Sequence, residues 1–244
     1  MSASTPAWRF LVASASAPYR RSGRFALHFA RGKLRWDPVF RYLIGHGLIA
    51  PRARVLDIGC GQGLLASLVQ AATAQARLGA WPAEWAEAPV DAHVTGIDVA
   101  ASDVSRARKA LGQQAEFVCG DMRRTDFPSA DTVVILDALH YVSIPEQDEV
   151  LVRVRAALAG GGSLVLRVGD SASWPGFAIS QWVDRIVAFA RGGSLRPRSG
   201  RTRSEWQSRL LALGLEVTSL PMRTGTPFAN VLFVGTVPAK ETRP

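Results

Sequence analysis

The chain has 244 residues, 48% of them hydrophobic and 20% charged. This is the profile of a globular protein of one large or two small domains, and it excludes disordered, collagen-like and low-complexity chains. Its two cysteines lie in apolar runs that read as buried, without CxxC or Cys/His spacing, so neither a disulfide framework nor a metal site is expected. The net charge of +9 points to an anionic partner: nucleic acid, a lipid surface or an acidic protein.

Residues 1–18 are rich in Ala, Ser and Pro and read as a poorly ordered leader. The stretch Phe10–Ala17 is too short and too mixed with serine for a signal peptide. No run approaches the roughly 20 apolar residues of a membrane span, and a reducing, cytoplasmic setting is expected. Residues 24–49 carry apolar side chains at helical spacing. One or two helices are expected there, broken at Gly32 and restarted at Asp37-Pro38, a capping residue before a proline.

From Arg54 the pattern becomes alternating strand and helix. Val55–Ile58 reads as a strand, followed by a glycine loop and a helix from Leu64 to about Arg77. Ala80–Val90 reads as an insertion. His93–Val99 is a strand, Ser102–Leu111 a helix capped by Ser102, and Glu116–Cys119 and Asp131–Leu136 are strands. Glu146–Leu158 is a helix closed by Gly160–Gly162, and Ser163–Val168 a strand. Trp174–Ala190 reads as an inserted helix, Arg191–Arg203 as a loop, Ser204–Leu213 as a helix, and Leu215–Leu220 and Asn230–Val237 as the last strands. Continuous apolar strands alternating with helices imply a doubly wound α/β sheet, mostly parallel. The last two strands lack a helix between them and are expected to pair antiparallel. The expected organisation is an N-terminal arm and helical cap over residues 1–50 and an α/β domain over 51–244, with an insertion near 171–203.

The charge is uneven. Ten basic residues and one acid lie between Arg9 and Arg54, and six basic residues and one acid between Arg191 and Arg209; the body between them is acidic. A second reading stands beside a binding role. Of the 29 basic residues all but Lys33, Lys109 and Lys240 are Arg, a bias that a GC-rich genome produces by itself.

The sharpest motif is Val55-Leu-Asp-Ile-Gly-Cys-Gly-Gln-Gly63, at the turn from the first strand into a helix. Glycines there admit close backbone approach to a ligand, and the helix N-terminus offers N–H groups. The spacing is neither GxGxxG nor GxxxxGK[ST]. Further along come Gly96-Ile-Asp-Val99, Gly120-Asp-Met122, Asp131-Thr-Val-Val-Ile-Leu-Asp-Ala-Leu-His-Tyr141 and Leu158-Ala-Gly-Gly-Gly-Ser-Leu-Val-Leu166, each at a strand end.

In this order and spacing the motifs resemble the class I S-adenosylmethionine-dependent methyltransferases, over Val55 to about Val237. The resemblance implies a Rossmann-like fold, S-adenosyl-L-methionine as cofactor and S-adenosyl-L-homocysteine as product. It implies cofactor contacts by Asp57, Ile58, Gly59, Cys60, Gly61 and Gly63 in the loop. Asp98 and Val99 fall at the ribose, Asp121 and Met122 at the adenine, and Asp137 and Ala138 beside the methyl donor. One departure is the separation of Asp57 from Asp98, 41 residues where about 20 are usual in the related dinucleotide pattern; the insertion at Ala80–Val90 accounts for it.

The acceptor is harder to read. Motifs for adenine, glutamine or C5-pyrimidine methylation are missing, as is an acidic cluster for a catechol-binding metal. His140 is the candidate general base, with packing against the cofactor as its other reading; Tyr141 is a pocket wall. His28 is a weaker base candidate, expected to be half-buried, and His46 and His93 read as structural. Aromatics in Trp174–Ala190 suit an apolar lid and hence a small aromatic or polyketide-like acceptor. The segment Thr226-Pro-Phe-Ala-Asn-Val-Leu-Phe-Val234, with the basic arm, resembles methyltransferases of aryl polyene pigment clusters. That implies O- or C-methylation of an aromatic head group, free or on an acidic acyl carrier protein, within secondary metabolism. The alternatives are an RNA methyltransferase using the basic arm, although no RNA-binding module is recognisable, and a non-catalytic cofactor-binding protein.

Overall fold

The computed structural model describes residues 6–169, 200–222 and 230–239. The fold is α/β and Rossmann-like, with seven strands, and divides into two units, Met1–Asp121 and Met122–Pro244.

In the first unit, strands β1 (Arg54–Ile58), β2 (His93–Asp98) and β3 (Glu116–Cys119) run parallel in the order β3-β2-β1. Helices α4 (Leu64–Arg77) and α5 (Ala101–Leu111) form the crossovers. Val55, Leu56 and Ile58 are buried without alternation, as expected of a strand covered on both faces.

The N-terminal segment departs from expectation. Residues 6–16 form helix α1 (Pro6–Ser16), followed by a 3-10 turn, Ala17–Ser22. Trp8, Leu11, Val12 and Ala15 are buried at i, i+3, i+4 and i+7, so an apolar stripe on a background of good helix formers outweighs the loop-like composition. Helix α2 (Arg24–Trp36) passes through Gly32 without a break, and α3 (Pro38–Gly45) begins at Asp37, whose Oδ1 accepts from the Val39 N–H at 3.1 Å. The insertion after α4 folds back by its tryptophans: Trp85 lies 6.2 Å from Trp8 and edge-on to Trp81 at 5.2 Å.

In the second unit the order is β4-β5-β7-β6. Strand β4 (Ala130–Leu136) pairs parallel with β5 (Leu158–Gly169); β7 (Asn230–Thr236) runs antiparallel to both β5 and β6 (Glu216–Pro221). Helix α6 (Ile144–Ala157) ends at the first residue of β5. Gly160–Gly162 therefore lie inside the strand rather than closing the helix. The register to β4 shifts there, Gly161 has φ 76°, and a Cβ on Gly162 would stand 2.9 Å from the Ala159 oxygen. The bulge thus favours glycine at 161 for its dihedral and at 162 for its lack of space. The helix expected at Trp174–Ala190, most of the proposed lid, and residues 226–229 of the segment Thr226–Val234 lie outside the described residues.

Two smaller corrections concern single residues. Cys119 is exposed, not buried, because β3 is the outer strand of its set. Helix α5 begins at Ala101, not at a Ser102 cap; Asp98 Oδ1 accepts from the Ala100 N–H at 2.8 Å in the cap's place. No helix among the described residues is long and apolar enough to cross a membrane.

If α1 belongs to the core, Trp8→Ala will cost about 3–5 kcal/mol. Chemical denaturation measures this, and a loss below about 1 kcal/mol would put α1 outside the cooperative unit.

Candidate functional site

The first unit gathers its candidate residues at the carboxyl ends of its strands, where open α/β sheets bind ligands. Gly59, Gly61 and Gly63 have φ of 79°, 55° and 78°. This is the left-handed region, in which only glycine is relaxed. Space is short as well. A Cβ on Gly63 would lie 2.7 Å from the Phe117 ring, and one on Gly96 would lie 2.8 Å from Cys60 Sγ. The cradle is therefore built of backbone, with its N–H groups ahead of helix α4.

Asp98 fixes the loop. Its Oδ2 accepts from the Gly61 N–H at 2.7 Å, and the Gly59 N–H donates to the Ile97 oxygen at 2.8 Å. The Gly120 N–H donates to the Asp98 oxygen at 3.0 Å, which brings Gly120-Asp121 beside Asp98. Val99 is 52% exposed next to it, and Ile58 is fully buried in β1.

Asp57 is buried at the end of β1. Burial, then the nearby charge of Asp98, pushes its carboxyl up to about 7. Burial, then Asp57 and Asp98, pushes the Cys60 thiol well above its ordinary value.

Two residues with no signal in the sequence reading hold the loop from its other side. Tyr19 is fully buried and its hydroxyl donates to the Gln62 oxygen at 2.8 Å. The buried Gln62 side chain donates through Nε2 to the Ala26 oxygen of α2 at 2.9 Å. Ser67 Oγ adds a bond to the Ala15 oxygen at 2.6 Å. Burial raises the Tyr19 phenol far above its ordinary range, so it acts as a neutral donor.

The second unit carries the other sequence candidates. Met122 is half-buried, and its oxygen accepts from Arg153 Nη1 at 2.8 Å. Asp137, the residue after β4, is a non-glycine residue at φ 57°. A two-pronged ion pair holds it. Arg167 Nε donates to Asp137 Oδ1 at 2.9 Å and Arg167 Nη2 donates to Oδ2, while the Asp137 N–H donates to the Arg167 oxygen at 3.1 Å. The guanidinium is almost fully buried. Ala138 is buried, and His140 and Tyr141 sit in a 3-10 turn with ring centroids 4.2 Å apart. Gln147 pins this turn by donating to the Leu139 and Val142 oxygens at 3.2 and 3.1 Å. Helix α6 starts with a capping box at Ser143 and Glu146. Arg123, then Ser143, holds the Glu146 carboxyl down at about 2.

Of the remaining histidines, His28 is exposed on α2 rather than half-buried. His46 stacks on Tyr42 at 3.9 Å, and His93 lies 3.6 Å from Glu116. Among the described residues no group of three His, Cys, Asp or Glu side chains could hold a metal ion.

The backbone cradle and the carboxylate that closes it fit a nucleoside cofactor, and residues 55–162 match a methyltransferase domain family. The chain is 33% identical over 130 residues to a carboxy-S-adenosyl-L-methionine synthase of Chromohalobacter salexigens, covering 49% of this chain and 43% of that one. It is 32% identical over 152 residues to a trans-aconitate 2-methyltransferase of a Mycobacterium species, covering 62% and 52%. A malonyl-[acyl-carrier protein] O-methyltransferase of Neorickettsia risticii is 33% identical over 93 residues, covering 38% and 31%. The chain thus spans about half the length of the first two curated relatives, and less of the third. An O-methyltransferase family protein of Burkholderia thailandensis superposes with a TM-score of 0.60 at 20% identity, over 91% of this chain and 63% of that one, which establishes the shared fold.

The raised Asp57 carboxyl predicts a pH dependence. The unfolded chain releases this proton near pH 4 and the folded chain near 7, so folding takes up a proton between those values. Stability therefore falls as the pH rises from about 4 to 7, by on the order of 4 kcal/mol from this group. Asp57→Asn should remove that contribution, so that the variant gains on the wild type through this window in thermal melts. Parallel curves would place the Asp57 carboxyl in an ordinary environment.

Proposed function

We propose that the chain transfers the methyl group of S-adenosylmethionine to the oxygen or carbon of a small aromatic or polyketide-like acceptor. The observation that carries this reading is the Gly61 N–H bonded to Asp98 Oδ2. It joins a left-handed glycine loop to an acceptor-only carboxylate at adjacent strand ends. A carboxylate has about four acceptor positions, so Asp98 can hold the loop and take the ribose hydroxyls as well.

S-adenosylmethionine supplies a methyl group on a sulfonium centre and departs as S-adenosylhomocysteine. The chain's part is to bind, orient and deprotonate. Gly59, Gly61 and Gly63, with Asp57, Ile58 and Cys60, form the floor under the cofactor's amino-acid end. Asp98 and Val99 hold the ribose, and Asp121 and Met122 border the adenine. Asp137 and Ala138, fixed by Arg167, shape the approach to the transferred group. A ring nitrogen of His140 takes the proton from an acceptor hydroxyl as its oxygen attacks, and Tyr141 walls the acceptor. Residues 1–50 act as a cap on the loop, and residues near 171–203 as the acceptor's lid.

The acceptor is an aromatic head group of the kind found in aryl polyene pigments, presented free or on an acidic acyl carrier protein. Support comes from the resemblance of Thr226–Val234 and from a relative whose name specifies a carrier-bound acceptor. The reaction belongs to secondary metabolism in the cytoplasm.

Calorimetric titration with S-adenosylhomocysteine tests the cofactor site. Micromolar binding is expected, and Asp98→Ala should weaken it about 10- to 150-fold, the worth of a hydrogen bond to a charged group. Failure of the folded wild type to bind would overturn the reading. Given binding, labelled methyl transfer to phenols, free and carrier-bound, distinguishes an enzyme from a cofactor-binding protein. Retained transfer in His140→Ala at raised pH would assign the proton to solvent instead.

A further inference from the structure

The outward face of α2 has no part in the proposed chemistry. Its sequence is Arg-Phe-Ala-Leu-His-Phe-Ala-Arg-Gly-Lys-Leu-Arg-Trp, with Ala26, Ala30 and Leu34 buried. Each residue advances the helix by about 100°. Phe25, Phe29, Gly32 and Trp36 therefore fall within about 60° of one another, opposite the buried side. Phe25 is 53% and Trp36 70% exposed, and they stand roughly 16 Å apart along the axis. Arg24, His28, Arg31 and Arg35 line one flank of this aromatic ridge and Lys33 the other. The preceding 3-10 turn adds exposed Arg20 and Arg21, and α1 adds exposed Arg9 and Phe10. Among the described residues Arg20, Arg21, Arg24, Arg31 and Arg35 make no ion pair.

The chemistry of this face narrows its partner. Helix α2 has no acid, amide or hydroxyl side chain. A ridge flanked by cations alone, with no acid to pair with them, fits a surface of uniform negative charge. Nucleic acid and an anionic bilayer both qualify. Single-stranded nucleic acid stacks its bases on open ring faces. Here Phe25 is stacked against Phe29 at 6.1 Å and lies under the Arg106 guanidinium at 5.4 Å, and Trp36 lies under Arg35 at 5.0 Å. Phe25 is thus already engaged by Phe29 and Arg106, and exposed apolar rings interleaved with arginines suit insertion at the boundary between headgroups and acyl chains while the arginines meet the headgroups.

We propose that the α2 ridge, with Arg9, Phe10, Arg20 and Arg21, seats the protein on an anionic lipid surface. The inference stands independently of methyl transfer. Its test is sedimentation of the full chain with vesicles of phosphatidylcholine alone, or with roughly a third phosphatidylglycerol, at low and high salt. Binding to the anionic vesicles only, weakening with salt, is expected. Arg24→Gln, Arg31→Gln and Arg35→Gln should each weaken binding about fivefold, and about hundredfold when combined. Phe25→Ala with Trp36→Ala should weaken it roughly tenfold. Arg24, Arg31, Arg35 and Trp36 are exposed, so in the arginine variants the melting temperature and S-adenosylhomocysteine binding should stay at wild-type values. Equal binding to both vesicle types, no sedimentation with the anionic vesicles at low salt, or indifference to the arginine substitutions would overturn the proposal. So would preferential binding of poly(U), which would make this a nucleic-acid surface, or of polyglutamate, which would make it a site for an acidic protein.

Discussion

The hydrogen bond from the Gly61 N–H to the Asp98 carboxylate is the constraint around which the first unit is organised. It ties the turn after β1 to the end of β2, and it works only if the loop backbone can adopt left-handed dihedrals three times in five residues. The space it needs is cleared elsewhere. Gly96 makes room for Cys60, and Gly63 makes room for Phe117. Each glycine is thus a packing requirement as well as a dihedral one, and the loop and its neighbouring strands form one structural unit.

The same loop is gripped from outside the sheet. Gln62 stands between two N-terminal elements, accepting from Tyr19 and donating to the Ala26 carbonyl. Both bonds are buried, where an unmade partner costs about 1–3 kcal/mol, so moving the N-terminal helices would disturb the cradle. Helix α2 consequently has two duties. Its inner side is joined to the cofactor loop, and its outer side presents the aromatic and basic ridge. Whatever binds that ridge acts on a helix bonded directly to the loop.

The second unit meets a similar problem with different chemistry. The chain must turn sharply after β4, and it uses an aspartate at φ 57° where the cradle uses glycine. Non-glycine residues hold such a conformation only when their surroundings over-determine it. Here the Arg167 guanidinium and the backbone bond to the Arg167 carbonyl supply that restraint. Breaking the pair would leave a buried cation without its carboxylate, which is far costlier than losing a surface ion pair. Gln147 then fixes the following turn, so His140 and Tyr141 project from a braced rather than a loose segment.

The sequence by itself determined the alternation of strands and helices, the glycine loop, and the acids at the ends of β1 to β4. These are local facts: apolar runs, turn residues and their spacing follow from properties of neighbouring residues. The helical character of α1 was also present, as Trp8, Leu11, Val12 and Ala15, but an Ala/Ser/Pro composition masked a four-residue stripe. What only the tertiary structure decided are pairings between distant residues. Tyr19 finds Gln62 across 43 residues, and Arg167 finds Asp137 across 30. A tyrosine in an arginine-rich turn and an arginine in an apolar strand carry no signal of their partners. Cys119 became exposed for the same reason, since its burial depends on which strand lies at the outside. The bulged continuation of β5 through Gly160–Gly162 was likewise decided by pairing with β4, because three consecutive glycines fit a helix end or a bulge equally well until a neighbouring strand selects one.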